Sequence, residues 1–279
     1  MAINSFLNLN GANLYYEVAG ETNKPTLVFI HAGVADRRMW DEQVEFFAPN
    51  YRVIRYDARG FGNTKNEDIV FSERQDVIDL LDHLAIEKAV LIGCSRGGRI
   101  AIDTTLEFPN RVNALVAVCS ALSGFDFQLD PNDPQFAFAV DLNRQADIAQ
   151  QMQNWKRLAE LDTQFWGDGL GQPLGRCKAQ VREKIFSMCL NRYELGLQVG
   201  KPIELTPPAA NRLYEIDKPT LVITGELDTR ACEAMGAAVA KGIRGAMHVV
   251  FQNCAHVPNM EQPDIFNQTL SMFLKSSRM

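Results

Sequence analysis

Ser95 sits in the run Gly93-Cys94-Ser95-Arg96-Gly97, directly after the apolar segment Ala89 to Ile92 and directly before a helical pattern. A serine on a tight strand-to-helix turn presents its hydroxyl outside the sheet, and side chains at Gly93 and Gly97 would clash in so sharp a turn. The helix start beneath it leaves backbone N–H groups unpaired, that of Arg96 among them, aimed at any negative charge that forms beside Ser95. A serine hydroxyl needs a base to take its proton. His256, in Cys254-Ala255-His256-Val257-Pro258, follows a strand expected over His248 to Phe251 and precedes the final helix, so it is the expected base. His248 lies inside that strand and His83 on an earlier helix, and both are assigned packing or surface roles. An imidazole base needs a carboxylate to fix its tautomer and to stabilise the imidazolium. Asp228 ends the run Gly225-Glu226-Leu227-Asp228 after the apolar strand Thr220 to Ile223, at a strand C-terminus where parallel sheets build their sites. Glu226 is read as a solvated loop charge. Asp126 is the rival acid, farther from the strand Ala114 to Val118 that precedes it.

These three residues need a scaffold, and the chain offers two kinds of strand signal. Phe6 to Leu9 and Asn13 to Val18 alternate polar and apolar residues around Asn10-Gly11, as an antiparallel hairpin does. Thr26 to Ile30, Val53 to Tyr56, Ala89 to Ile92, Ala114 to Val118 and Thr220 to Ile223 are largely apolar runs that do not alternate, which suits strands covered on both faces. Helical patterns over Trp40 to Phe47, Glu73 to Leu84, Arg96 to Phe108, Thr229 to Ala240 and Asp264 to Leu274 alternate with them. The expected fold class is therefore α/β, a mostly parallel central sheet flanked by helices. Residues 124–210 break the rhythm. They carry helix-like spacing over Ala137 to Leu161 and Gln180 to Val199, with proline and glycine at their edges and middle. They are expected to form a helical cap inserted into a core of residues 1–123 and 211–279.

With the order Ser95, Asp228, His256 in hand, the chain resembles the α/β-hydrolase superfamily, in the serine hydrolase branch with a helical cap. The resemblance runs from Phe29-Ile30-His31-Ala32-Gly33 to the last helix. His31-Ala32-Gly33-Val34 is similar to the family's HG motif, with alanine in place of its usual glycine. By that similarity the second oxyanion donor is the backbone N–H of Gly33, or alternatively Val34, and His31 ties the loop by hydrogen bonds. Asp57-Ala58-Arg59-Gly60-Phe61-Gly62 resembles the family's DxRGxG segment, in which Asp57 and Arg59 shape the turn. His256, Pro258, Glu261 and Pro263 follow its HxPxxExP arrangement. Relatives that hydrolyse epoxides or haloalkanes use an aspartate where Ser95 stands, which disfavours those activities.

The implied chemistry is an enzyme of carboxylesterase or lactonase type that cleaves an ester, lactone or similar carbonyl-containing small molecule through an acyl-enzyme. A hydrolase-like small-molecule receptor, or a C–C bond hydrolase, lyase or perhydrolase using the same residues, stays open. Substrate selection is expected in the cap, where Trp155, Phe165 and Trp166 are large apolar surfaces, with Val34 beside the oxyanion loop. Arg96 could favour substrates bearing a carboxylate, or could pair with a nearby acid along its helix.

In its 279 residues the chain carries a net charge of −6, which works against nucleic acid and anionic lipid. A small-molecule substrate is the expected partner, with no nucleic acid or membrane. The start Met1 to Asn10 lacks a basic, apolar leader, and the run Val112 to Leu122 is too short to span a bilayer, so a cytoplasmic location is expected. The 6 cysteines are scattered without paired spacing, and the 4 histidines show no metal-binding spacing. No cofactor or metal is expected.

Overall fold

A computed structural model of the chain describes residues 3–128, 130–196 and 200–278. Strands β1 (Ile3–Leu9) and β2 (Ala12–Ala19) form the antiparallel hairpin, and Gly11 at φ 64° supplies the left-handed turn residue between them. The remaining main strands are β3 (Thr26–Ile30), β4 (Arg52–Tyr56), β5 (Ala89–Cys94), β6 (Val112–Val118), β7 (Thr220–Gly225) and β8 (Met247–Phe251). They lie side by side in the order β1-β2-β4-β3-β5-β6-β7-β8, parallel from β4 onward, with β2 antiparallel to β4.

The helices are α1 (Asp41–Phe47), α2 (Glu73–His83), α3 (Arg96–Glu107), α4 (Pro134–Gln151), α5 (Trp155–Asp162), α6 (Ala179–Glu194), α7 (Arg230–Gly242) and α8 (Pro263–Ser276). Because strand side chains alternate between faces, each central strand feeds two cores. Val28 and Ile30 join Val77, Leu80, Ile100 and Val239 of α2, α3 and α7 on one face. Leu27 and Phe29 join Phe47, Phe266, Leu270 and Phe273 of α1 and α8 on the other. Trp40 is fully buried on that second face, its ring 4.9 Å from Phe29 and 6.0 Å from Phe266. Among the described residues no helix is long and apolar enough to cross a membrane.

Several boundaries differ from the sequence expectation for local reasons. Helix α1 begins at Asp41 rather than Trp40, because Arg37–Trp40 is a 3₁₀ turn whose Asp36 side chain accepts the Arg38 N–H at 2.9 Å. The helix expected over Ala137 to Leu161 is two helices. Gln153 in the left-handed region, φ 53°, ends the first, and Asn154 caps the second by accepting the Arg157 N–H. The helix expected over Gln180 to Val199 ends at Glu194, before Gly196 at φ 58°, and Leu197, Gln198 and Val199 lie outside the described residues. Between β6 and β7, α4 and α5 share a small core of Leu142, Leu158 and Leu161 with Leu170, and Tyr193 of α6 packs against it. Helix α5 runs on into a π-helical turn, Thr163–Asp168, a geometry found mostly at functional sites.

Trp40 joins α1 and α8 to the sheet, so Trp40→Ala should destabilise the protein by about 3–5 kcal/mol, as for other large-to-small aromatic core changes. Urea unfolding measures this, and a loss below about 1 kcal/mol would show that this core is not what holds α8 down.

Candidate active site

Ser95 has φ 55° and ψ −116°, a conformation that costs a non-glycine residue of order 1–3 kcal/mol and persists only where the surroundings impose it. The imposing contacts are backbone to backbone. A Cβ on Gly93 would stand 2.1 Å from the Gly97 carbonyl oxygen, and one on Gly97 would stand 2.2 Å from that of Ile30. The Ser95 N–H donates to Val118 of the neighbouring strand at 2.8 Å, and its carbonyl accepts from Ala121 at 3.1 Å. Ser95 occupies the N-cap position of α3, where a serine side chain ordinarily accepts an N–H of the first turn, yet it makes no such bond. The turn thus keeps both the hydroxyl and the first N–H groups of α3 free of one another.

His256 follows β8, and the segment leading to it lies across the C-terminal ends of the neighbouring strands. A Cβ on Gly225 of β7 would stand 2.0 Å from the Ala255 carbonyl oxygen. The Cys119 thiol, after β6, lies 3.8 Å from that same oxygen, and the Cys94 thiol of β5 lies 3.5 Å from the carbonyl oxygen of His256. Glu261 secures the segment by accepting the Ala255 N–H at 2.8 Å. His256 is thereby delivered to the end of the strand that carries Ser95.

The His256 Nδ1–H donates to Asp228 Oδ2 at 2.8 Å, and the other carboxylate oxygen accepts the Thr229 N–H at 2.7 Å. Both residues are buried. In its neutral form, with its Nδ1 proton directed at an ionised acceptor, the ring presents Nε2 as a lone pair. Burial by itself would lower the pKa of the imidazole, but the Asp228 carboxylate outweighs burial and holds it above the ordinary histidine value. Asp126 is exposed and accepts from Gln128 at 3.2 Å, away from the histidine.

The other residues singled out in the sequence are held by the following contacts. His31 Nδ1 donates to the Ala32 carbonyl at 2.8 Å while Nε2 accepts the Ala58 N–H at 3.0 Å, a pair of bonds that needs the neutral ring. Burial lowers its pKa to about 4, which keeps it neutral. Gly33 adjoins the nucleophile turn: a Cβ on it would lie 3.9 Å from the Arg96 Cβ. Asp57 accepts from the backbone of Arg37 and Asn63 at 2.9 and 2.8 Å, and Arg59 makes a two-pronged pair with Asp76, both bonds 2.8 Å. Glu226 is exposed and accepts the Asn253 N–H at 2.8 Å. The His83 and His248 rings meet Tyr16 and Thr224 hydroxyls at 3.0 and 2.9 Å.

Of the three cap aromatics, Trp166 reaches the candidate site, its ring 4.4 Å from that of His256. Phe165 packs on Trp166 at 4.5 Å, whereas Trp155 stacks on Tyr193 within the cap's own core. Val34 packs against the core cluster beneath the cap, and its carbonyl accepts from the Cys189 thiol at 3.2 Å. The Arg96 side chain forms an ion pair with Glu73 and lies over the Phe61 ring at 4.8 Å.

Arg176 is a residue the sequence did not single out. It donates to Glu261 at 2.6 Å, to the Asn253 carbonyl at 2.9 Å and to the Gly167 carbonyl at 2.9 Å. It thus clamps the turn bearing Trp166 to the segment bearing His256. Its position in a glycine- and proline-rich stretch gives no periodic signal. Cys119, Asp228 and His256 place potential metal-ligand atoms within 4.8 Å of one another. Asp228 and His256 already satisfy each other, and burial pushes the Cys119 thiol well up, away from the thiolate a metal would require.

A family model described as alpha/beta hydrolase fold matches residues 25–263. The 3-oxoadipate enol-lactonase 1 of Acinetobacter baylyi is 28% identical over 274 residues, covering 96% of each chain. The pimeloyl-[acyl-carrier protein] methyl ester esterase of Nitrosospira multiformis is 27% identical, covering 94% of this chain and 98% of the relative. The crystal structure of a hydrolase from Pseudomonas aeruginosa superimposes with a TM-score of 0.75 at 26% identity, over 97% of this chain and 98% of that one.

The contact between His256 and Asp228 makes a prediction that needs no substrate. In an NMR titration the His256 ring should titrate above about 6.5, the ordinary histidine value. Asp228→Asn removes the charge that favours the imidazolium and should move the midpoint down, while Asp126→Asn should leave it in place. Equal shifts in the two variants would contradict the pairing.

Proposed function

Because the chain belongs to the alpha/beta hydrolase fold family, we propose that it is a serine hydrolase that opens an ester or lactone through Ser95, His256 and Asp228. The observation that carries the proposal is the buried 2.8 Å bond from His256 to Asp228, at the end of the sheet where Ser95 holds its strained turn. Two of the relatives are named for opening an enol-lactone and for cleaving a methyl ester, and both reactions are acyl transfers from oxygen to water.

In this mechanism His256 Nε2 takes the Ser95 hydroxyl proton as Oγ bonds to the carbonyl carbon, and the carbonyl π-pair moves onto oxygen. That oxyanion rests on the N–H groups of Gly33 and Arg96. Each such donor is worth about 3–4 kcal/mol of barrier in other serine hydrolases. As the tetrahedral species collapses, the C–O bond to the leaving oxygen breaks and that oxygen takes the proton back from Nε2. In a lactone the leaving oxygen stays tethered to the acyl group. Water then gives a proton to Nε2 and attacks the acyl-enzyme, and Ser95 regains its proton as the acid departs. Asp228 stays ionised throughout and stabilises the imidazolium twice per turnover.

A fluorophosphonate probe should label Ser95 stoichiometrically. Ser95→Ala should abolish labelling and lower hydrolysis of short-chain aryl esters by at least about 10³-fold, with circular dichroism and melting temperature close to wild type. Labelling that survives in the alanine variant would remove Ser95 from the role, as intact peptide mapping would reveal.

A further inference from the structure

Helix α6 lies along the loop after β3 and meets it with side chains on one face. The Met188 sulfur receives the Asp36 N–H at 3.4 Å, the Cys189 thiol donates to the Val34 carbonyl at 3.2 Å, and Arg192 Nη1 donates to the Gly33 carbonyl at 3.3 Å. The first two contacts are ordinary packing, but the third puts a guanidinium against the residue whose N–H is read above as an oxyanion donor. The Arg192 guanidinium also lies over the Phe61 ring at 4.3 Å, the ring that Arg96 covers at 4.8 Å.

The two arginines differ in how their charge is met. Arg96 is ion-paired with Glu73, which also holds Arg99. Among the described residues, Arg192 forms no ion pair with a carboxylate. Asp162, an acid of α5 whose charge interacts with Arg192, is engaged by the Tyr193 hydroxyl. A guanidinium has five N–H donors in a planar fork, and Arg192 commits one of them to a protein acceptor. It is partly buried between the cap and the oxyanion loop. A partly desolvated cation with most of its donors unspent favours an anionic partner, and the fork matches a carboxylate through two parallel bonds.

We propose that Arg192 binds a carboxylate of the substrate, so that the enzyme acts on esters or lactones carrying a carboxylate a few bonds from the reacting carbonyl. Gly33 fixes that spacing, since its carbonyl holds the guanidinium and its N–H faces the reacting oxygen in the proposed mechanism. The proposal therefore rests on the assignment of Ser95 and Gly33 above. It moves the recognition of an anion from Arg96, whose charge Glu73 meets, to a residue of the cap.

The test compares kcat/KM for the mono-p-nitrophenyl ester of succinic acid with that for p-nitrophenyl butyrate. Wild type should prefer the succinate ester. Arg192→Gln keeps an N–H for the Gly33 carbonyl but removes the charge, and it should lower the ratio of the two kcat/KM values by about 10- to 100-fold, chiefly through KM. Arg192→Lys should restore part of the ratio. An equal loss on both esters, or no wild-type preference for the succinate ester, overturns the proposal and leaves Arg192 as a dock for the cap. Calorimetric titration of succinate into Ser95→Ala separates this from the hydrolase assignment. Binding that disappears in Ser95→Ala/Arg192→Gln supports the subsite even if Ser95 proves not to be the nucleophile, and absence of binding in Ser95→Ala counts against it.

Discussion

The Ala255 carbonyl oxygen occupies the space that a side chain on Gly225 would need, and the geometry of the candidate site depends on that contact. Ser95 leaves the end of β5, whereas His256 follows β8, and β6 and β7 lie between them. The segment from β8 to His256 turns at Gln252 and Asn253, with Asn253 left-handed at φ 56°, and rests on the strand ends, where the Leu227 N–H donates to the Cys254 carbonyl at 2.8 Å. Gly225, Cys119 and Cys94 beneath it are small, and the two thiols meet its carbonyl oxygens at 3.8 and 3.5 Å. The scattered cysteines of the sequence thus find a physical use as low packing with weak donors. Burial raises the pKa of Cys94 and Cys119, which keeps both as thiols.

A buried carboxylate facing an imidazole is stable only while its oxygens are satisfied and water is kept from separating the pair. Asp228 meets the first condition with the Thr229 N–H and His256. The second is met from the cap, where Trp166 covers the imidazole ring. Trp166 sits in a π-helical turn, and Arg176 binds that turn to the histidine segment through the Gly167 and Asn253 carbonyls and Glu261. The cover over the histidine and the support beneath it are thus joined by one side chain. A change in the cap that moved Gly167 would reach His256 without touching the sheet.

What could be read from the sequence was what local chemistry encodes. Largely apolar runs located β3 to β7 because strands covered on both faces carry few polar residues, although Arg52 and Arg55 stand in β4, and the steric demands of Gly93 and Gly97 follow from the turn itself. Edge strand β8 is half exposed, and its position was inferred from its neighbours rather than from a pattern of its own. The helix-like spacing over Ala137 to Leu161 belongs to two helices, because a left-handed residue at Gln153 interrupts a spacing that continues on both sides. Asp126 and Asp228 were both candidates on chain order, and only the three-dimensional placement brings one of them to 2.8 Å from the histidine. Arg176 was invisible because its partners are backbone carbonyls, which every residue has, and a glutamate 85 positions away.

The same distinction governs the cations around Phe61. Arg96 drew notice because it adjoins Ser95 in sequence, yet adjacency along a helix turn does not set where a long side chain ends. It reaches Glu73 on α2 instead, and Glu73 is shared with Arg99 one turn farther along α3. Arg192 lies 97 positions from Ser95 and comes to the loop after β3 because α6 lies along that loop, with Met188 and Cys189 on it. Arg176 thereby ties the cap to the histidine segment and α6 ties it to the loop after β3, beside further links such as the Gln135 side chain, which donates to the Asp228 carbonyl at 3.3 Å, and the Lys184–Asp41 ion pair. Trp166 and Arg192 lie beside the first two of these links, whereas Trp155 stacks on Tyr193 in the cap's own core.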